Sequence, residues 1–212
     1  MKPMADGGVL AIVCDGMGGH VGGATASRLA VDAFLKTVAG QGRGLLDGLT
    51  AANEAVGGGV AAKAELAGMG TTLIAATVHN DEVSWISVGD SPFYLIAGGQ
   101  STRLNADHSM VPQIEAMAER GLLTREEAEN HPGRHTLREA VMGQPLALID
   151  KGTRSLVRDA RLLLCSDGVE TLAAADLSAP GLGHPNTVIE AVLAARKPHQ
   201  DNVTVVLLER EA

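Results

Sequence analysis

Two short apolar runs in this chain end the same way. Val9-Leu10-Ala11-Ile12-Val13-Cys14 leads into Asp15-Gly16, and Leu162-Leu163-Leu164-Cys165 leads through Ser166 into Asp167-Gly168. An unbroken apolar run of this length reads as a strand buried on both faces, which needs a covering layer on each side. A carboxylate at its tip then stands at the rim of a core. Aromatic residues are 2% of the chain (Phe34, Trp85, Phe93 and Tyr94), so that core is aliphatic and surfaces for stacking bases are scarce. Seventeen basic residues against twenty-five acidic ones give a net charge of −8, which disfavours a nucleic-acid partner and suits divalent cations.

Helical and strand patterns alternate along the rest of the 212 residues. Residues 24–38 carry Ala26, Leu29, Ala30, Ala33, Phe34 and Leu35 on one helical face. Residues 45–66 read as a second helix, with a break expected at Gly57-Gly58-Gly59, because each glycine costs about 0.8–1 kcal/mol relative to alanine. Segments 71–79 and 82–88 flank Asn80-Asp81, and segments 93–97 and 101–104 flank Gly98-Gly99-Gln100, giving two hairpins. Residues 109–140 read as helical and polar, with an N-cap at Thr124 and a break at His131-Pro132-Gly133. Strands 153–157 and 161–165, a helix at 187–195 and a strand at 203–209 complete the pattern. It predicts a single α+β domain over residues 1–212.

Two cysteines, Cys14 and Cys165, are too few for a disulfide framework. No run of about 18 apolar residues is present, and Met1 to Gly8 lacks the apolar stretch of a signal peptide. The expectation is a cytoplasmic protein with no membrane partner.

Asp90 ends the run Ser87-Val88-Gly89, and Asp201 stands just ahead of the last strand. With Asp15 and Asp167 they make four carboxylates at strand tips. Gathered together they would repel one another without a counterion, and hard cations such as Mg²⁺ and Mn²⁺ favour carboxylate, carbonyl and water oxygens. A lone Asp-Gly is more often a simple turn, since Asp bonds the local backbone and Gly supplies positive φ. Spacing alone leaves both readings open. The loop Gly16-Met17-Gly18-Gly19-His20-Val21-Gly22-Gly23 lacks the Gly-Lys-Ser/Thr ending of a phosphate-binding P-loop.

Seven segments in order carry a resemblance over nearly the whole chain: residues 9–20, Gly68-Met69-Gly70-Thr71-Thr72-Leu73, Val88-Gly89-Asp90-Ser91, Asp107-His108-Ser109, His131-Pro132-Gly133-Arg134-His135, residues 163–168, and Asp201-Asn202-Val203-Thr204-Val205. Together they resemble the PPM family of metal-dependent serine/threonine protein phosphatases, protein phosphatase type 2C, in its compact bacterial form. The resemblance implies a four-layer αββα sandwich of two mostly antiparallel sheets flanked by helix pairs, with a flap at about residues 110–134. It implies that Asp15 bridges two Mn²⁺ or Mg²⁺ ions, one also held by the Gly16 carbonyl oxygen. Asp167 and Asp201 would hold the other ion, and Asp90 would join Asp167 at a weaker third. A metal-activated water would then attack phosphoserine or phosphothreonine of a phosphoprotein substrate. His20, in the loop after Asp15, is the catalytic candidate for protonating the leaving group. His108, His135 and His199 are read first as structural or solvated.

The family begins with a further strand carrying an arginine and an acidic motif; ahead of Asp15 this chain has no arginine and one acid, Asp6. A missing N-terminal strand would expose a sheet edge and invite a homodimer. It also motivates the rival expectation, a catalytically impaired phosphatase-like regulatory or binding module. Pro92 stands where the family often has arginine after Gly-Asp-Ser.

Overall fold

The computed structural model describes residues 1–196 and 201–209. In chain order these form β1 (Lys2–Pro3), β2 (Val9–Val13), β3 (Gly16–Met17), α1 (Gly19–Leu35), α2 (Leu45–Ala62), β4 (Gly70–Thr71), β5 (Leu73–His79), β6 (Glu82–Val88), β7 (Phe93–Ala97), β8 (Gln100–Arg103), α3 (Val111–Glu119), α4 (Arg125–Glu129), β9 (Asp150–Ser155), β10 (Arg161–Cys165), α5 (Pro185–Ala194) and β11 (Val205–Leu208). One sheet has the order β1-β2-β5-β6-β9 and the other β11-β10-β7-β8, with β3 and β4 paired separately. Every pairing between these strands is antiparallel.

Strand alternation builds the layers. On β2, Leu10 and Ile12 pack with Ala26, Ala30 and Phe34 of α1 and Leu49, Ala52 and Val56 of α2. Ala11 and Val13 point the other way, onto Phe93, Leu95, Leu162 and Leu164 of the second sheet. Leu163 and Cys165 of β10 then face Val188 and Val192 of α5 and the 3₁₀ turns carrying Val169 and Leu177. The order is helix, sheet, sheet, helix. The first sheet is covered by a pair of helices, the second by α5 with 3₁₀ turns. Trp85 and Phe93 meet edge to face between the sheets at 6.0 Å.

The expected break in the second helix does not occur: α2 runs unbroken through Gly57-Gly58-Gly59. Packing explains it. A Cβ on Gly57 would stand 2.9 Å from Gly143 Cα, and one on Gly59 would meet Leu29 and Met69 side chains at 2.7 and 2.8 Å. Close packing on neighbours offsets the weak helix propensity. The first helix begins at Gly19 rather than Ala24, because Gly23 lies against the backbone of Gly16, and β3 thereby docks on its first turns.

Only α3 and α4 of the expected helical span 109–140 form. Thr124 caps α4, its Oγ1 accepting the Glu127 N–H at 3.1 Å while Glu127 Oε2 accepts the Thr124 N–H at 2.7 Å. Beyond Pro132 and Gly133 the backbone bonds to other segments instead of winding. Arg138 N–H donates to His108 O at 2.8 Å, and Val141 N–H to Thr71 O at 2.9 Å. The strand expected at 153–157 is shifted to Asp150–Ser155 by its register with β6.

An N-terminal strand is present, though two residues long. Lys2 and Pro3 pair with Leu10 and Val9. Asp6 sits in the following turn, bonding the Gly8 N–H at 3.0 Å and standing 3.5 Å from His79, at the opposite end of β2 from Asp15. Among the described residues no helix is long and apolar enough to cross a membrane.

Candidate metal centre

Topology gathers the four aspartates. β2 and β6 each pair antiparallel with β5, so both finish at the same end of their sheet. β10 finishes beside the start of β7, through the pair Leu164–Phe93, and beside the start of β11, through Cys165–Val205. The four residues Gly89 to Pro92 join β6 to β7, linking that end of both sheets. Asp15, Asp90, Asp167 and Asp201 all line one cleft there, with Gly16, Thr72, Asn202 and residues 135–140. The cleft is about 610 Å³.

Asp15 and Asp90 are held through their own backbones, Asp167 and Asp201 through their neighbours. The Asp15 N–H donates to Thr72 Oγ1 at 3.0 Å, and its carbonyl accepts from Thr71 Oγ1 and the Thr72 N–H, each at 2.8 Å. The Asp90 carbonyl accepts from Arg103 Nη2 at 2.6 Å. Ser166, next to Asp167, donates from Oγ to Asn202 O at 3.2 Å and accepts the Thr204 N–H at 3.0 Å, which ties the Asp201 loop to the Asp167 loop. Gly168 is required there, because a Cβ would strike the Asn202 carbonyl oxygen.

The electrostatics record crowded negative charge. Burial, then the charges of Asp167 and Asp201, push the Asp15 carboxyl up to about 6. Burial, then Asp167 and Asp107, push Asp90 up to about 7. Asp167 is raised by burial and by Asp201, against which the His135 imidazole pulls. Asp15 and Asp167 raise the cost of charge on one another across the cleft, as crowded carboxylates do without a counterion.

These residues fit hard divalent cations. Asp167 Oδ1 is buried and has no hydrogen-bond partner among the described residues. An orphaned buried carboxylate oxygen is costly unless a donor or a cation meets it. Among the described residues no three His, Cys, Asp or Glu side chains form a ready ligand set. The cleft thus offers spread carboxylates rather than a finished cage, which suits ions that keep much of their own water.

The sequence profile of the protein phosphatase 2C family matches residues 4–203. The chain belongs to that family. The serine/threonine protein phosphatase PstP of Mycobacterium tuberculosis is 33% identical over 212 aligned positions, taking in 96% of this chain and 40% of PstP. The chain therefore spans well under half of that relative's length. The serine/threonine phosphatase stp of Listeria innocua is 32% identical over 95% of this chain and 84% of its own. Among solved structures, the catalytic domain of PstP in complex with two manganese ions matches with a TM-score of 0.75 at 30% identity, over 93% of this chain and 86% of that one.

The histidines take different places. His20 falls in the first turn of α1; its side chain, like the whole of His199, lies outside the described residues. His135, read as structural or solvated, is exposed and lines the cleft. His108 is buried, its Nδ1 accepting the Gly89 N–H at 3.2 Å, and burial lowers its pKa. Sequence reasoning missed two arginines, Arg103 behind Asp90 and Arg138 on the cleft wall. Neither lies in a motif; pairing of β8 with β7 and the path of residues 134–141 bring them in.

Proposed function

We propose that this chain is a single phosphatase domain that hydrolyses phosphoserine and phosphothreonine in proteins with two Mn²⁺ or Mg²⁺ ions. The observation that carries this reading is the buried, unpartnered Asp167 Oδ1 in a cleft shared with Asp15, Asp90 and Asp201. Asp15 would bridge the two ions and the Gly16 carbonyl would complete one of them. Asp167 and Asp201 would hold the second, and Asp90 with Asp167 a weaker third. When bound, such a pair lowers the pKa of a shared water and clamps phosphoryl oxygens.

The chain's own groups point to direct hydrolysis rather than a phosphoenzyme. Burial raises both the Cys14 and the Cys165 thiols, so neither supplies a thiolate. The Thr72 hydroxyl at the cleft is engaged: its Oγ1 shares a hydrogen bond of 2.7 Å with Ser91 Oγ and accepts the Asp15 N–H. Two imidazoles are proposed for protonating the leaving oxygen, His20 from the first turn of α1 and His135 from the cleft wall. Residues 110–134, which include α3 and α4, form the flap beside the site and would meet the protein substrate.

The test is hydrolysis of p-nitrophenyl phosphate and of a phosphothreonine peptide, with Mn²⁺ or with EDTA. Wild-type turnover should require the metal, and Asp15→Asn and Asp167→Asn should each abolish it. Activity retained in both variants contradicts the proposal. Metal binding by the wild type without turnover favours a regulatory module instead.

A further inference from the structure

The cleft has a wall of opposite charge. Among its described lining residues Arg138 is the one arginine, in a cleft that four aspartates also line. Glu139 beside it is occupied elsewhere, Oε2 accepting the N–H groups of Ala147 and Leu148 at 2.7 and 3.0 Å. The wall is fixed at both ends. Thr136 O accepts the Met110 N–H at 3.0 Å, and Val141 exchanges both backbone bonds with Thr71, whose hydroxyl in turn holds the Asp15 carbonyl.

The Arg138 side chain is exposed yet held in place. With the Gln113 amide nitrogen donating to Ser109 O at 3.1 Å, the amide oxygen accepts from Arg138 Nε at 3.1 Å and from Nη1. That leaves Nη2 and the outer hydrogen of Nη1, two parallel donors spaced for the edge of a phosphate. For a phosphate monoester dianion approaching a chain of net charge −8, such a cation at the cleft favours entry.

We infer that Arg138 is the phosphate-binding cation of this cleft, its free guanidinium edge taking two non-bridging oxygens of the substrate phosphate while Gln113 sets its orientation. This rests on the reading of the cleft as a phosphatase site. Arg138 would contact substrate; Gln113 is a positioning residue.

The experiment uses the Mn²⁺-loaded full chain and inorganic phosphate as probe. Phosphate affinity is measured by calorimetry, and KM and kcat with p-nitrophenyl phosphate, for wild type, Arg138→Ala, Arg138→Lys and Gln113→Ala. Loss of a charge-assisted pair predicts a roughly 10- to 100-fold weaker phosphate affinity and an equal rise in KM for Arg138→Ala, with kcat and Mn²⁺ affinity little changed. Arg138→Lys, which keeps the charge, should recover part of the loss, and Gln113→Ala should show a smaller rise in KM. If the wild type turns over but both Arg138 variants keep phosphate affinity and KM within about twofold, the assignment falls and the phosphatase reading stands. If kcat alone falls, Arg138 does not bind phosphate. If the wild type neither binds phosphate nor hydrolyses the ester with Mn²⁺, both readings fall together.

Discussion

Arg103 reaches from β8 to the Asp90 loop and donates from Nη2 to the Asp90 carbonyl at 2.6 Å. Its Nη1 bonds Glu170 at 3.0 Å and lies 3.6 Å from Asp107, while Nε meets Asn105 Oδ1 at 3.4 Å. One fixed fork thus ties down a backbone turn and offsets two carboxylates behind the cleft. Arg103→Met should cost about 2–3 kcal/mol, because it leaves half-buried acceptors unpaired. Arg103→Lys should recover little, since a point charge cannot serve four acceptors. Urea unfolding with EDTA present checks both; a midpoint unchanged in Arg103→Met contradicts this role.

The acids also set a pH dependence for the metal-free protein. Asp15 and Asp90 are raised to about 6 and about 7 from an ordinary 3.8, and Asp167 and Glu170 are raised too. The folded chain therefore holds protons that the unfolded chain releases, so stability is greatest near pH 4 and is lost as pH rises towards 7. His108, lowered by burial, acts in the opposite sense over this range, and the lowered Asp6, Asp47 and Glu127 do so at more acid pH. Thermal melts in EDTA should show a higher Tm at pH 5 than at pH 8, and saturating Mn²⁺ should narrow the gap. A Tm that rises with pH in EDTA would contradict the crowding of carboxylates.

Adjacent glycines of α2 should respond with opposite signs. Nothing lies within 4 Å of a Cβ on Gly58, so Gly58→Ala should stabilise by about 0.8–1 kcal/mol through helix propensity. Gly57→Ala gains the same propensity but forces a Cβ to 2.9 Å from Gly143 Cα, and should destabilise by roughly 1–3 kcal/mol. Chemical denaturation of the two variants separates these outcomes.

Thr72 couples the Asp15 backbone to Ser91 through one buried hydroxyl. Thr72→Val keeps the shape and removes the acceptor, leaving the Asp15 N–H unpaired. The expected cost is about 1–3 kcal/mol, together with weaker Mn²⁺ binding measured by calorimetry. Wild-type stability in this variant would show that Asp15 is held by its carbonyl bonds alone.

The aspartate side of the cleft was legible because its signal is local. A buried strand that ends in Asp, with Gly where loops must approach closely, leaves a trace in a few consecutive residues at Asp15 and Asp167. Arg103 and Arg138 left none, since each reaches the site through pairings with distant segments. Gly57 to Gly59 misled for the same reason: propensity is a property of the helix, while the demand for glycine comes from Gly143, Leu29 and Met69. Residues 109–140 read as helical on composition, yet beyond α4 the chain leaves the helix and Arg138 N–H bonds His108 O.

An anomalous difference map from a crystal soaked in Mn²⁺ tests the central claim most directly. Two peaks should lie in the cleft, both touched by the Asp15 carboxylate and one by Asp167 Oδ1. A cleft without peaks at saturating Mn²⁺, or peaks that Asp15 and Asp167 do not reach, would contradict it.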